Sequence, residues 1–132
     1  MSILGKRIST GPVAIIAVIF MLAMGVARAL TGENVRQVTI VAKDMAFYLE
    51  GDSTRNPAIE VRAGETLRIV LKNLDRGVTH DLAVPAADAA TDVLKWNEHD
   101  EVTFEVPSEP GTYEYVCRPH LLMMKGTIIV KK

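Results

Sequence analysis

From Val35 onward apolar and polar positions alternate in short runs separated by turn residues, and no stretch carries the three-to-four-residue repeat of an amphipathic helix. Residues 35–42 are rich in β-branched side chains and alternate; residues 45–49 form a second apolar run, and residues 51–57 have the composition of a loop. The pattern is sharpest next. Residues 58–61, a turn at Ala63-Gly64-Glu65, and residues 66–72 predict a hairpin in which Leu67, Ile69 and Leu71 face the core while Thr66, Arg68 and Lys72 face outward. A polar turn over residues 73–77 leads to a strand over residues 80–84, then to a small, polar loop over residues 85–91 with room for at most one helical turn. Val102, Phe104 and Val106 point inward along residues 101–106, a turn with two prolines spans residues 107–111, and strands follow over residues 112–116 and 126–130. Seven or eight short strands at this spacing predict an all-β fold, an antiparallel sandwich or barrel, without internal repeats.

The first thirty residues depart from that pattern. Lys6 and Arg7 precede an uncharged, strongly apolar run over residues 8–27, close to the ~20 residues that a bilayer-spanning helix needs. A basic flank before such a run predicts a hydrophobic helix within residues 1–30, acting as a signal peptide or as an N-terminal membrane anchor. Ala27-Arg28-Ala29 resembles a cleavage site, and its arginine argues for the uncleaved anchor as strongly as its alanines argue for cleavage. Both readings place the rest of the chain in the periplasm or on the extracytoplasmic face of the membrane. With 132 residues, 48% of them hydrophobic, the chain supplies one core, so residues 31–132 are expected to form one domain.

Charge changes the picture once that segment is set aside. Of 15 Lys and Arg, three (Lys6, Arg7 and Arg28) lie in the first 29 residues, which hold no acid, leaving 12 basic against 16 acidic side chains and a net charge of −4. A mildly acidic domain lacks the basic face that nucleic-acid phosphates require. A single cysteine, Cys117, can form no internal disulfide in an oxidising compartment, which leaves a free thiol, an intermolecular bridge or a ligand.

The surroundings of Cys117 favour a ligand. Cys117-Arg-Pro-His120-Leu-Leu-Met123-Met124 places a thiol, an imidazole and two thioethers within eight residues, between two predicted strands. Thiolate, imidazole and thioether together are the chemistry of a copper site. A structural zinc site would want further thiolates or paired Cys and His, and no second C-x-x-C motif occurs. A further ligand has to come from upstream, and His80 stands at a strand entry after a glycine-containing turn, at the end of the sandwich where the last loop also lies. His80, Cys117 and His120 with a distant methionine make a type 1, or blue, copper set. His99 lies in the polar run Asn97-Glu-His-Asp100 with no ligand neighbour and reads as an exposed turn residue, while Trp96 and Tyr113 read as packing residues.

Gly77-Val-Thr-His80-Asp, followed by Pro110-Gly-Thr-Tyr-Glu-Tyr-Val-Cys117-x-Pro-His120-x-x-x-Met124-x-Gly126-Thr-x-x-Val130, resembles the small single-domain cupredoxins, the plastocyanin, amicyanin and pseudoazurin group. The likeness runs from about Val35 to the end and is most specific over residues 110–130. It implies a Greek-key β-sandwich holding one copper ion that cycles between Cu(I) and Cu(II), bound by the imidazoles of His80 and His120, the thiolate of Cys117 and a weak axial methionine. Met124 fits the Met-x-Gly ending before Gly126 and is favoured; Met123 gives the shorter spacing from His120 and is the alternative.

Two positions depart from that group, where the residue after the first histidine is commonly Asn and the residue after the cysteine commonly Ser or Thr; here they are Asp81 and Arg118. Those positions tie the ligand loops together in the resembling proteins, so an Asp81–Arg118 ion pair is expected to take over the tie, the alternative being two independent surface charges.

The resemblance implies a carrier of single electrons and no enzyme, a monomer that docks a redox protein such as a cytochrome or a copper enzyme through His120 and an exposed apolar rim of Pro119, Leu121, Leu122 and Pro85. The rival is a periplasmic copper chaperone or resistance protein that binds the ion without redox cycling, a role that the neighbouring Met123 and Met124 would suit.

Overall fold

Nine strands account for the described residues, 34–132, of a computed structural model: β1 (Val35–Lys43), β2 (Ala46–Leu49), β3 (Ala58–Arg62), β4 (Thr66–Asn73), β5 (Ala83–Val84), β6 (Ala89–Ala90), β7 (His99–Glu105), β8 (Gly111–Val116) and β9 (Lys125–Lys131). The expected signal peptide or anchor over residues 1–30, and its hydrophobic helix, lie outside the described residues.

Alternation sets the two layers. One sheet has the order β2-β1-β4-β7 and the other β3-β9-β8-β5-β6. Along β4 every second residue (Leu67, Ile69, Leu71, Asn73) is buried, and along β9 the same is true of Gly126, Ile128 and Val130. These inward faces, with Ile40, Phe47, Ile59, Val61, Leu82, Val84, Phe104, Val106 and Tyr115, close one core between the sheets. Leu71 is fully buried there while Leu74, just past the strand, is half exposed. Leu71→Ala is therefore expected to cost about 2–5 kcal/mol in urea denaturation and Leu74→Ala less than about 0.5 kcal/mol.

The expected sandwich forms, with two pairings that run parallel. Val35 to Ala42 pairs in parallel with Thr66 to Asn73, and Ala58 to Arg62 with Thr127 to Lys131; the other pairings are antiparallel. Parallel neighbours need a crossover between them, and the chain supplies these by changing sheets.

That crossing corrects the predicted hairpin. β3 and β4 lie in different sheets, so the Ala63-Gly64-Glu65 turn is an arch across the edge of the core. Its ends are bonded to their own sheets, Ala63 N–H to the Lys131 carbonyl (2.8 Å) and Val106 N–H to the Glu65 carbonyl (2.9 Å). The predicted strand over residues 80–84 also shortens. Only Ala83–Val84 pair as β5, and His80 makes an isolated bridge with Leu94 in which each N–H reaches the other's carbonyl, at 3.0 and 2.7 Å. His80 is thereby fixed on the backbone at the end of the sandwich, beside the loop that leaves β8.

That loop is held from below by Tyr115. Its ring packs tilted against Phe47 with centroids 5.4 Å apart, and its hydroxyl donates to the Pro57 carbonyl at 2.7 Å. Burial pushes the phenol well above its ordinary value, so the hydroxyl keeps its proton. Opposite it, a side chain on Gly126 would meet the ring carbon Cζ at 2.2 Å. Gly126 is glycine because the Tyr115 ring occupies the place of its Cβ, within β9 and not in a turn before it.

Candidate metal centre

The β8–β9 connection is a closed loop of its own. Cys117 N–H donates to the Met124 carbonyl (2.9 Å), His120 N–H to the Cys117 carbonyl (3.1 Å), and the N–H groups of Met123 and Met124 both reach the His120 carbonyl at 3.0 Å. Pro119 sits in a 3-10 turn, Arg118–His120, where its fixed φ suits the tight winding and its missing N–H costs nothing. Asn56 adds an outside support by donating from Nδ2 to the Met123 carbonyl at 3.1 Å.

Folding brings His80, Cys117 and His120 together, with one potential ligand atom of each lying within 4.8 Å of the others. The Cys117 Sγ is 3.7 Å from His80 Nδ1 and 3.5 Å from His120 Nδ1, and the two rings meet edge to face with centroids 5.0 Å apart. His80 and Cys117 are fully buried, and His120 keeps an exposed edge. Met124 is fully buried in the same apolar cluster as Cys117, whereas Met123 is half exposed. His99 stands apart as the exposed first residue of β7, opposite Lys72.

Burial pushes the Cys117 thiol above its ordinary value. The backbone N–H of Asp81 pulls it down, the Asp81 carboxylate raises it, and the backbone N–H of His120 lowers it, with the net shift upward. A bound cation reverses that balance, because a coordinating thiol loses its proton outright. The donor set therefore fits a metal ion of the soft or borderline kind, and a buried thiol between two Nδ1 atoms suits copper.

Asp81 and Arg118 are paired. Arg118 donates its backbone N–H to Asp81 Oδ1 at 2.7 Å and its Nε–H to Oδ2, so one fully buried carboxylate bridges the segment after His80 to the residue after Cys117.

Sequence reasoning missed the partner of His80. Asp75 Oδ2 lies 2.8 Å from His80 Nε2, and the N–H groups of Asp44 (2.7 Å) and Met45 (3.2 Å) also reach this carboxylate. Partial burial raises the Asp75 carboxyl, but the bonds from His80, Asp44 and Met45 outweigh it and hold the group below the usual carboxylate range. A carboxylate can only accept, so Nε2 carries a hydrogen, and a neutral His80 imidazole then presents the lone pair of Nδ1 toward the sulfur. Fully buried Asn73 anchors the same turn: it accepts the Asp75 N–H at 2.9 Å and donates to the carbonyls of Val78 (2.8 Å) and Leu94 (2.9 Å). Gly77, at φ +76°, takes the left-handed corner of that turn. The sequence signal was slight: Asn73-Leu-Asp-Arg-Gly77 has the composition of any polar turn.

A model of the cupredoxin-like domain matches residues 13–130. The chain belongs to the cupredoxin-like family. Among solved cupredoxins, rusticyanin from Thiobacillus ferrooxidans is 24% identical with a TM-score of 0.60, covering 76% of this chain and 79% of its own. Auracyanin A from Chloroflexus aurantiacus is 24% identical with a TM-score of 0.58, covering 74% of this chain and 100% of its own. An auracyanin from Roseiflexus castenholzii is 21% identical, with a TM-score of 0.59 over 73% of this chain and 97% of its own. At these identities the likeness carries the fold. No curated protein sequence matches the chain. In this cupredoxin the residues around the thiol fit one type 1 copper ion.

The surroundings of the site hold two further results. Leu121 and Leu122 stay exposed beside His120, at 51% and 94%, instead of capping the core. Trp96 packs at the surface: it is 47% exposed and lies under the Arg76 guanidinium, 4.2 Å from the ring centroid. Tyr113 is partly buried, and its hydroxyl donates to the Glu109 carbonyl at 2.8 Å.

Proposed function

We propose that this cupredoxin carries single electrons between redox proteins outside the cytoplasm, through one type 1 copper ion held by His80 Nδ1, Cys117 Sγ and His120 Nδ1, with Met124 as the weak axial donor. The observation that carries this reading is the convergence of those three donor atoms at the closed end of the sandwich. Copper bound there supplies one-electron exchange between Cu(I) and Cu(II). The chain does the rest. Full burial of His80 and Cys117 excludes water and substrate, and the backbone bonds around Cys117 hold the donors in one arrangement in both oxidation states. Four protein donors leave no position for a reactant, which supports outer-sphere transfer and a protein that is no enzyme by itself. The partly exposed His120 edge, within the rim of Pro119, Leu121 and Leu122, is the route to a docked partner such as a cytochrome or copper enzyme.

Auracyanin A is described as a "blue" copper protein, which supports the same reading. The basic and apolar segment before residue 30 supports export, as a signal peptide or an anchor. Buried donors favour electron carriage over a chaperone role, since handing on an ion requires the recipient to reach the ligands.

The test is metal analysis, a visible spectrum and voltammetry of the purified domain. One copper per chain, an intense thiolate-to-Cu(II) band and a reversible couple are expected; colourless binding of Cu(I) alone would move the protein to copper handling. Leucine substitutions decide the axial donor. Met124→Leu removes a donor that favours Cu(II) and should raise the potential by about 59 mV or more, equivalent to one decade in the Cu(II)/Cu(I) affinity ratio. Met123→Leu, on an exposed side chain, should leave the potential unchanged within a few millivolts. The opposite ranking assigns Met123.

A further inference from the structure

The Asp75 carboxylate joins His80, five residues further on, to a turn that lies about thirty residues upstream. The β1–β2 turn places Asp44 and Met45 at φ +51° and +55°, the two consecutive left-handed residues of a tight hairpin turn. Methionine is a poor residue for that conformation, in which its Cβ crowds the following carbonyl oxygen. Both strained residues aim their N–H groups at the Asp75 carboxylate, and the same Oδ2 that receives Met45 faces His80 Nε2. Three N–H donors thus converge on two oxygens, an arrangement that an acceptor-only side chain satisfies in full and that an amide or an alcohol does not. Among the described residues no buried side-chain polar atom lacks a partner, so the carboxylate and its three donors satisfy one another within the protein.

We propose that Asp75 is the positioning residue of His80: it holds the imidazole as the Nε2–H tautomer, strengthens Nδ1 as a donor, and so biases the centre toward its oxidised state. The proposal rests on the copper reading above. A carboxylate accepting the Nε2 hydrogen leaves more electron density on the opposite nitrogen, and such partners typically change metal affinity about 10–100-fold. The harder Cu(II) ion gains more from a stronger nitrogen donor than the softer Cu(I) ion does. The carboxylate stands in a nearly buried place, where its negative charge is weakly screened and also favours the higher-charged ion. Asp75 therefore lowers the potential at which the protein accepts an electron, and the β1–β2 turn is the brace that keeps the carboxylate in line.

Voltammetry of the copper-loaded full chain is the test, with nitrogen NMR of the metal-free protein beside it. Asp75→Asn is expected to raise the potential by a tenfold loss of preference for Cu(II), about 59 mV for one electron. Asp88→Asn removes an equal charge from an exposed turn and should move it by less than a third of that. In the metal-free wild type the His80 hydrogen should reside on Nε2; in Asp75→Leu, should that variant fold, both tautomers should be populated. Equal shifts in the two asparagine variants, or a wild-type His80 protonated on Nδ1 alone, would overturn the proposal. The wild-type tautomer requires no variant and no copper, so it decides even where substitutions unfold the chain. A wild type that binds no copper counts against electron carriage and is told apart by that same measurement.

Discussion

Copper-loaded Cys117→Ala is expected to be colourless and to bind Cu(II) more than ~100-fold more weakly than the wild type, because loss of a direct ligand should exceed the 10–100-fold typical of its supporting partners. The intense colour of a type 1 centre arises from charge transfer out of the thiolate, and the chain has one sulfhydryl to supply it. The substitution removes little else. Cys117 is a small buried residue whose backbone N–H carries the bond that closes the ligand loop, and alanine keeps that bond. Far-ultraviolet circular dichroism should therefore be unchanged, and a urea midpoint close to wild type would show that lost colour reflects a lost ligand. A colourless wild type, or a variant that keeps the band, would refute the assignment.

Gly126→Ala is expected to be the most damaging single methyl group in the sandwich. Its Cβ would sit 2.2 Å from Cζ, 2.3 Å from the hydroxyl oxygen and 2.5 Å from Cε1 of Tyr115. None of those atoms can yield easily, since the ring is fully buried, packs on Phe47 and is tethered at its far end to the Pro57 carbonyl. Overpacking of this kind costs about 1–3 kcal/mol, and stranding the Pro57 acceptor adds about 1–3 kcal/mol. The total, about 2–6 kcal/mol, would unfold much of a marginally stable population. Because Gly126 and Tyr115 face each other one pair away from Val116 and Lys125, the disturbance also reaches the mouth of the ligand loop. Combining Gly126→Ala with Tyr115→Leu should cost less than the sum of the two single changes, since the smaller side chain removes the clash; additive costs would show that the ring is not the obstacle.

Which face a residue presents could be read from the chain, and which sheet it joins could not. The alternation of Leu67, Ile69 and Leu71 is local information, visible wherever a strand has one buried side. Ile59 and Val61 show the same alternation, yet they face the core from the opposite layer. A short turn looks alike whether it folds a hairpin flat or arches between sheets, because the choice is made by distant partners, Lys131 for Ala63 and Val106 for Glu65. The site divides along the same line. Cys117, His120 and the methionines are neighbours in sequence, and Asp81 with Arg118 drew notice as a joint departure from a family pattern. Asp75 gave no such signal, since its importance depends on a turn at residues 44 and 45 that only the fold brings near. Trp96 read as a packing residue, but that its partner is Arg76 could not be told from the chain.

The order of assembly follows from where these partners lie. His80 and Cys117 are 37 residues apart, Asn56 and Met123 67, and the parallel pairing of β1 with β4 spans some thirty residues of intervening chain. Sandwiches built on such distant pairings fold slowly, on the millisecond-to-second scale, because each contact waits on the closure of a long loop. Copper bound to the folded centre would add stability in proportion to the logarithm of free copper over its dissociation constant, so the unfolding midpoint should rise with copper concentration.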